Sequence, residues 1–273
     1  FKSGASTFRG TTVIWNGRLL VTASVPKGGN SALGNCTNDV VIGDAGTQPS
    51  DTPALLFDGP ANSAFTFARG IAAWAANGAA TFGSLSNVNI TLSGPVAVSN
   101  TLHLLSSTAG TNALFVTGGI GGPGSVTLSG TGTVLYVAAN TYTGATTLAA
   151  GTLRLAAAER IADASPLRLA GGVFDFSGFD ETLGALDVDA ASELDFQGAS
   201  CTLTFAESSG QTWDGTLLLR RWIRGTTRLF IGDSAALTES QLGKITSPSG
   251  QVAAQLPTGE VILLPLGTMF LLQ

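Results

Sequence analysis

Short stretches in which apolar and polar residues alternate recur along the whole chain. Glycine, asparagine, aspartate or proline stands in nearly every gap between these stretches. Alternation with a period of two is typical of β-strands, and turn residues at intervals of about 8–12 residues are typical of an all-β sandwich, barrel or solenoid. The pattern therefore predicts strands at TTVIW, VVIG, ALLF, NITL, LHLL, ALFV, SVTL, TVLYV, TTLAAGTLRL, PLRL, VFDF, ELDF, TLTF, TLLL, RLFI and EVILL.

Helical periodicity is scarce by comparison. Two segments, ADASPL (162–167) and ALTESQLGKI (236–245), have the composition of a short helical turn. The second is predicted to open at Thr238, because threonine is a preferred residue at the N-cap position of a helix.

One phrase of strand, glycine and strand occurs twice in the chain. STFRGTTVIWNGRLLV (6–21) aligns without a gap to NTYTGATTLAAGTLRL (140–155), and Gly17 then falls on Gly151. Inward faces that are buried only against neighbouring copies of the same unit build a solenoid. Duplicated hairpins also occur in sandwiches, so the sequence predicts a right-handed β-solenoid with a β-sandwich as the alternative. In either case the glycines supply corners, and four aliphatic residues enter the core: Ile14, Leu19, Leu148 and Leu153.

The second copy belongs to a longer stretch, GGIGGPGSVTLSGTGTVLYVAANTYTGATTLAAGTLRL (118–155). This stretch resembles the autotransporter-associated β-strand repeat of secreted bacterial proteins. The tail, from WDGTLLLRRW (213–222) to GEVILLP (259–265), is similar to the C-terminal module of secreted bacterial repeat proteins. The resemblance implies a β-helical shaft and a secreted, extracellular or cell-surface location, and it brings no catalytic residue with it. The positions that carry the repeat resemblance are Thr141, Tyr142, Gly144, Thr146, Gly151, Thr152 and Leu153.

Two regions are predicted along the chain. Residues 1–205 are expected to form the solenoid repeat region, with a division near 113–118, and residues 206–273 a small C-terminal capping or assembly module. Because the chain begins with Phe1 and not with methionine, we expect it to be a processed product or a fragment.

Charge is sparse and unevenly placed. The 273 residues are 11% charged and carry a formal net charge of −5, which argues against nucleic acid as a partner. From Gly70 to Leu153 there is no aspartate, glutamate, lysine or arginine, which excludes a domain with typical helix surfaces. The chain lacks a run of about 18 apolar residues, so no membrane-spanning helix is predicted.

An acidic segment follows the uncharged one, with nine acidic residues between Arg154 and Asp195. Carboxylates on neighbouring turns of a β-helix can act as acid and base in polysaccharide cleavage, but such sites need basic partners. The segment has almost none after Arg168, so a solvated polar face without catalytic or cofactor-binding residues is predicted. Weak calcium binding is the alternative, because calcium prefers oxygen ligands. The candidate ligands are Asp187, Asp189, Glu193 and Asp195.

The remaining chemically active side chains are isolated in the sequence. Cys36 and Cys201 are the only cysteines and lack the spacing of a zinc site. They are expected to pair with each other, to pair across subunits or to stay as buried thiols. His103 stands alone between leucines, without a serine or acid motif that would complete a catalytic triad.

Two segments near the C-terminus are predicted to make contacts between molecules. LLLRRWIRGTTRLFI (217–231) concentrates arginines around a tryptophan, a composition enriched at interfaces, although ion pairs with Asp214 and Asp233 are an alternative. The apolar tail GEVILLPLGTMFLLQ (259–273) either covers its own end of the solenoid or adds a strand to the next molecule. The predicted assembly residues are Arg220, Arg221, Trp222, Arg224, Ile262, Leu263, Leu264, Met269, Phe270 and Leu271.

These features together predict an extracellular structural protein without enzymatic activity. Its partners would be copies of itself, joined head to tail in a bacterial surface fibre or matrix, since a contact whose rotation does not close propagates. A monomeric autotransporter-like adhesin passenger that binds glycans or surfaces is one alternative. A β-helical polysaccharide lyase or hydrolase is the other.

Overall fold

The protein is described by a computed structural model that covers residues 6–76, 78–107, 112–233 and 235–265. These residues form a β-solenoid of about ten turns, in which strands of successive turns stack in parallel. The prediction of an all-β solenoid is confirmed. The β-sandwich alternative is wrong, because a sandwich is built from antiparallel strands, and here the strands of successive turns pair in parallel. The handedness of the coil stays a prediction.

The strands are short, and each turn of the coil contributes up to three of them. In chain order they are β1 (Val13–Ile14), β2 (Arg18–Val21), β3 (Val40–Ile42), β4 (Ala54–Phe57), β5 (Ala64–Phe67), β6 (Ile71–Ala73), β7 (Ala79–Ser84), β8 (Asn89–Leu92), β9 (Val96–Val98), β10 (Thr101–Leu105), β11 (Ala113–Val116), β12 (Ile120–Gly121), β13 (Ser125–Ser129), β14 (Thr133–Tyr136), β15 (Thr146–Leu148), β16 (Thr152–Leu155), β17 (Leu167–Leu169), β18 (Gly172–Asp175), β19 (Glu181–Leu183), β20 (Leu186–Val188), β21 (Ser192–Asp195), β22 (Cys201–Phe205), β23 (Leu217–Arg220), β24 (Thr227–Ile231), β25 (Ile245–Thr246), β26 (Val252–Gln255) and β27 (Glu260–Leu264).

The coil has three sides. The second side is one sheet in the order β2-β4-β7-β10-β13-β15-β17-β20, and the third side is one sheet in the order β25-β23-β21-β18-β16-β14-β11-β8-β5. The first side consists of two five-stranded sheets, β1-β3-β6-β9-β12 and β19-β22-β24-β27-β26. Between these two sheets the backbone N–H groups of Thr141, Asn140 and Glu159 donate to the carbonyls of Ile120, Arg160 and Asp180, respectively, so stacking continues without regular strands.

Columns of buried aliphatic and aromatic side chains fill the interior. Register places one residue of each turn directly above its counterpart in the previous turn, about 4.8 Å away. Because side chains alternate along a strand, every second residue faces inward. Apolar residues therefore recur at a fixed sequence interval within each strand, but not from one turn to the next. On the second side the column is Leu55, Phe82, Leu104, Leu128, Leu148, Leu169 and Val188.

The repeated phrase is used at two different corners. In the first copy it joins β1 on the first side to β2 on the second, whereas in the second copy it joins β15 on the second side to β16 on the third. Gly17 and Gly151 have φ angles of +76° and +75°, so both corners need the left-handed conformation that glycine adopts without strain. The phrase therefore encodes a generic corner and not a fixed position in the coil.

The C-terminal end of the coil closes with antiparallel strands. β27 pairs antiparallel with β24 and with β26, and its residues Leu263 and Leu264 are buried. The described part of the apolar tail thus covers its own end of the solenoid, the first of the two predicted alternatives. A one-turn helix, α1 (Glu239–Leu242), has Thr238 as N-cap with a capping box, as predicted. The other predicted helical turn, at 162–167, is wrong, because that segment forms a non-helical turn.

Parallel pairing crosses both predicted region boundaries. β22 pairs with β24 on either side of residue 205, and β11 pairs with both β8 and β14 at the predicted division near 113–118. The division of the chain into a repeat region and a terminal module stays a prediction.

Candidate functional site

The acidic segment forms ion pairs with arginines of neighbouring turns. Arg168 pairs with Asp189 and lies 3.9 Å from Asp187, while the Arg154 Nε donates to Asp175 Oδ2 at 2.8 Å. Register explains the pairs, since Arg154 stands opposite Asp175 and Arg168 stands opposite Asp187 in the parallel ladders. The predicted solvated face is therefore partly covered, and Asp175 is buried.

The next turns continue this pattern with arginines from far downstream. Arg220 Nη1 donates to Glu193 Oε2 at 3.1 Å, and Arg221 makes a two-point ion pair with Asp195. Burial by itself raises the pKa of Asp195, but hydrogen bonds from Arg221 and from the Gln197 N–H outweigh it and leave the pKa below its ordinary value. The predicted ion pairs with Asp214 and Asp233 are wrong, because the parallel register places Arg220 beside β21.

The calcium candidates do not converge. Among residues 6–76, 78–107, 112–233 and 235–265, no group of three or more histidine, cysteine, aspartate or glutamate side chains could hold a metal ion. Each of the four candidates instead faces an arginine, whose positive charge competes with a cation. Burial and the neighbouring Asp189 raise the pKa of Asp187, which further weakens it as a ligand.

The two predicted assembly segments lie side by side. A cleft of about 500 Å³ is lined by residues of both segments, among them Arg220, Arg221, Trp222 and Leu263, and by Ser247 and Gln251. Arg224 is exposed, and Ile262 is half-buried within β27. The predicted residues Met269, Phe270 and Leu271 lie outside the described residues.

The predicted cysteine pair is not formed. Cys36 and Cys201 are both buried free thiols, one before β3 and the other on β22, seven turns along the coil. Burial raises the pKa of the Cys201 thiol to about 11, which makes it unreactive near neutral pH. His103 faces outward from β10 and lies between two threonines, Thr81 and Thr127, in register.

The buried hydroxyl groups of the repeat motif, those of Tyr142 and Thr146, are structural. Tyr142 is fully buried, and its hydroxyl lies 2.6 Å from Thr146 Oγ1 and 3.5 Å from the hydroxyl of Tyr136. Burial raises the pKa of Tyr142 to about 12, so it stays protonated. Because these hydroxyls satisfy each other inside the coil, they present nothing to a ligand.

Sequence reasoning missed a row of exposed aromatic side chains at the first turns. Trp15 and Trp74 follow directly after β1 and β6 and are 68% and 52% exposed. The N–H of Gly43 donates to the carbonyl of Ile14, and the N–H of Trp74 donates to that of Ile42, so the ladder places Gly43 between the two tryptophans. The sequence does contain a signal for this row, since each tryptophan directly follows an apolar run that forms a strand of the first side.

A cleft of about 290 Å³ adjoins Trp15. It is lined by Trp15 and by the polar residues Asn16, Asp44, Thr47 and Asp51, together with Gly46. Its residues come from two loops of the first two turns, the corner between β1 and β2 and the loop between β3 and β4. None of them lies in the acidic segment discussed above.

Comparison with known proteins gives one relevant similarity. The chain is 30% identical over 117 residues to the adhesin BmaC autotransporter of Brucella suis, a match that covers 41% of this chain and 3% of that protein. No protein-family model and no solved structure matches the chain. In the described ranges, no helix is long and apolar enough to cross a membrane. The similarity and the fold together support, at a coarse level, an autotransporter-like β-helix.

Proposed function

We propose that this chain is a segment of a bacterial surface or secreted adhesin, a rigid passenger-type shaft that binds glycans or surfaces. The proposal rests on the local similarity to the Brucella suis protein, whose name describes it as an adhesin and not as an enzyme. Because that match spans only 3% of the relative, the location and the adhesive role of the whole protein belong to the proposal.

The shape of the coil is suited to this role. About ten turns at about 4.8 Å each give a shaft on the order of 50 Å long. Its middle turns present neutral hydroxyl-bearing side chains on the second side, including the outward row of Thr81, Thr127 and Thr147. A neutral surface does not repel the anionic surfaces of cells at long range, as a strongly acidic one would.

The fibre-subunit hypothesis has less support. Its predicted contact residues Leu263 and Leu264 are buried within this chain, on a strand that pairs with β26. Arg220 and Arg221 are likewise engaged with Glu193 and Asp195. The absence of enzymatic activity also stays a prediction, supported by the name of the relative.

Adhesion of coated beads tests the proposal. Beads that carry the purified chain are incubated with cultured epithelial cells and with immobilised extracellular matrix, and beads that carry the heat-unfolded chain are the control. We expect the folded chain to adhere above the control on at least one surface. Equal adhesion of both bead types on every surface would contradict the adhesin role.

Particle length separates the two structural hypotheses. Size-exclusion chromatography with light scattering and negative-stain microscopy is carried out over a wide range of protein concentration. A passenger segment is expected to give short particles of constant length, whereas a head-to-tail subunit gives rods that lengthen with concentration.

A further inference from the structure

The two exposed tryptophans stand on one edge of the coil. Ile14 and Ala73 point inward, so the residues that follow them, Trp15 and Trp74, point outward from the first side. Two turns separate them, which corresponds to about 9.6 Å along the coil axis. Gly43 fills the intervening position, so no side chain stands at that point of the ladder between the two exposed indoles.

Polar groups beside Trp15 are held in fixed positions. The Asn16 Nδ2 donates to Asp51 Oδ1 at 2.6 Å, and the Thr52 N–H donates to Asn16 Oδ1 at 3.0 Å. The Gly46 N–H donates to Asp44 Oδ1 at 2.8 Å. These bonds order the loop before any ligand arrives, which lowers the entropy that binding would cost.

Asp44 keeps an acceptor for a ligand. Within the described chain its hydrogen bonds to Gly46 and Thr47 use Oδ1, and Oδ2 remains available at the cleft. A cleft of about 290 Å³ is at the small end of ligand sites, which are typically about 300–1,000 Å³. Its size and open shape suit one ring of a longer ligand and not a buried cofactor.

We propose that this surface, Trp15, Trp74 and the cleft with Asn16, Asp44 and Asp51, binds a neutral oligosaccharide chain. The apolar C–H face of a sugar ring packs against an indole, while its hydroxyl groups donate to carboxylate and amide oxygens. One ring occupies the cleft at Trp15, and the chain continues along the coil axis to Trp74. The inference rests on the adhesin function proposed above and names its ligand class.

Charge and shape distinguish a neutral glycan from other ligands. Asp44 and Asp51 repel the carboxylates and sulfates of acidic glycans. A cationic ligand would favour an enclosing aromatic cage, but the two indoles are separated by two turns and do not enclose a point. An apolar partner would desolvate Asp44 without replacing its hydrogen bonds to water.

Binding of defined oligosaccharides to the full chain tests the assignment. The probes are neutral cello-, manno- and chito-oligosaccharides of two to six residues, and oligogalacturonates of matched length are the acidic control. Binding is measured by isothermal titration calorimetry and by tryptophan fluorescence. We expect at least one neutral series to bind, with affinity that rises with length and changes little with salt, whereas oligogalacturonates do not bind.

Three variants and a matched control locate the site. W15A and W74A are each expected to weaken binding at least tenfold, the effect of about 1.4 kcal/mol of lost stacking. D44N is expected to weaken it several-fold. F179A removes an exposed aromatic side chain far along the coil and is expected to bind as the parent chain does. Both tryptophans are exposed, so the variants are expected to fold, and circular dichroism checks this.

The outcomes separate this inference from the adhesin proposal. Bead adhesion that is lost with W15A and after periodate treatment of the target surface supports both. Adhesion that persists in W15A and W74A, with no oligosaccharide bound, overturns the glycan site and leaves the adhesin function standing. Tighter binding of oligogalacturonates than of the neutral series, or affinity that falls steeply with salt, also overturns it.

Discussion

Replacing Glu181 by glutamine tests how the first side of the coil is held together where regular strands are missing. Glu181 is 1% exposed, and its two carboxylate oxygens accept the backbone N–H groups of Arg160 and Ile161 at 2.9 and 2.7 Å. One buried side chain thus replaces two ladder hydrogen bonds in the gap between β12 and β19. Burial raises the pKa of Glu181 to about 7, against the effect of these two N–H donors, and the charge of Glu159 adds to the rise.

The direction of the pH effect follows from this pKa. The folded-state pKa of about 7 lies above the ordinary value of 4.5, so between these values the folded chain binds more protons than the unfolded chain. The stabilisation is therefore fully present below pH 4.5 and is lost as pH rises through 7. At about 1.4 kcal/mol for each pKa unit, the loss amounts to roughly 3 kcal/mol.

The glutamine variant cannot titrate in this range. Its amide nitrogen cannot accept a hydrogen bond, whereas the hydroxyl oxygen of the protonated acid can, so one of the two N–H groups loses its partner, at a cost of about 1–3 kcal/mol. We therefore expect E181Q to be less stable than the parent chain at pH 4.5, and the difference to shrink or reverse by pH 8. Comparing the two proteins cancels the contribution of titrating groups that do not interact with Glu181, including His103, whose burial lowers its pKa and gives the opposite slope.

Denaturant unfolding at half-unit pH steps measures this difference. Long stacked arrays can lose two-state cooperativity, so hydrogen exchange at the amides of Arg160 and Ile161 provides a second, local measurement. A stability difference between E181Q and the parent that is the same at pH 4.5 and pH 8 would refute the reasoning.

Three further predictions address the corners, the interior and the cysteines. G17A should cost about 1–2 kcal/mol for its left-handed φ, whereas G151A should cost clearly more, because its Cβ would lie 2.5 Å from a carbonyl oxygen of the neighbouring turn; equal values by urea unfolding would contradict this. Y142F should lower unfolding stability by about 1–2 kcal/mol, since the buried Tyr136 hydroxyl loses its partner and Thr146 Oγ1 keeps only Ser165, and an unchanged midpoint would argue against the hydroxyl chain. Cys36 and Cys201 should both react with a thiol reagent in denaturant without reductant and hardly at all in the folded chain, so a non-reactive unfolded chain would restore the disulfide prediction.

Strands with strong contrast between neighbouring residues were predictable from the sequence. Every apolar run given above lies on a strand, from β1 to β27, because alternation alone determines which residues face inward. Some of the strands that the pattern did not indicate are short and nearly uniform in polarity, such as Ile71–Ala73 and Val96–Val98. Their own contrast is weak, and pairing with the turns on either side determines their register.

Contacts between distant positions were not predictable in the same way. Arg69 is charged but fully buried. Its guanidinium donates to the carbonyls of Asn38 and Leu33, which lie in a loop that no local sequence pattern indicates. Arg221 reaches Asp195 across 26 residues through the stacking of turns. The row of Trp15 and Trp74 likewise can be recognised only when the lengths of the intervening turns are known, because these lengths follow no fixed sequence period.

Parallel register has a consequence for how such a chain can change its length. Thr101 stands directly opposite Ser125, so excising residues 101–124 would bring Asn100 next to Ser125 at the same point of the coil. The junction would stack β7 on β13 and place Phe82 against Leu128, because these two residues are the partners of Leu104 on either side. Genetic loss or gain of one whole turn can therefore shorten or extend the reach of the molecule while leaving the tryptophan-bearing end untouched.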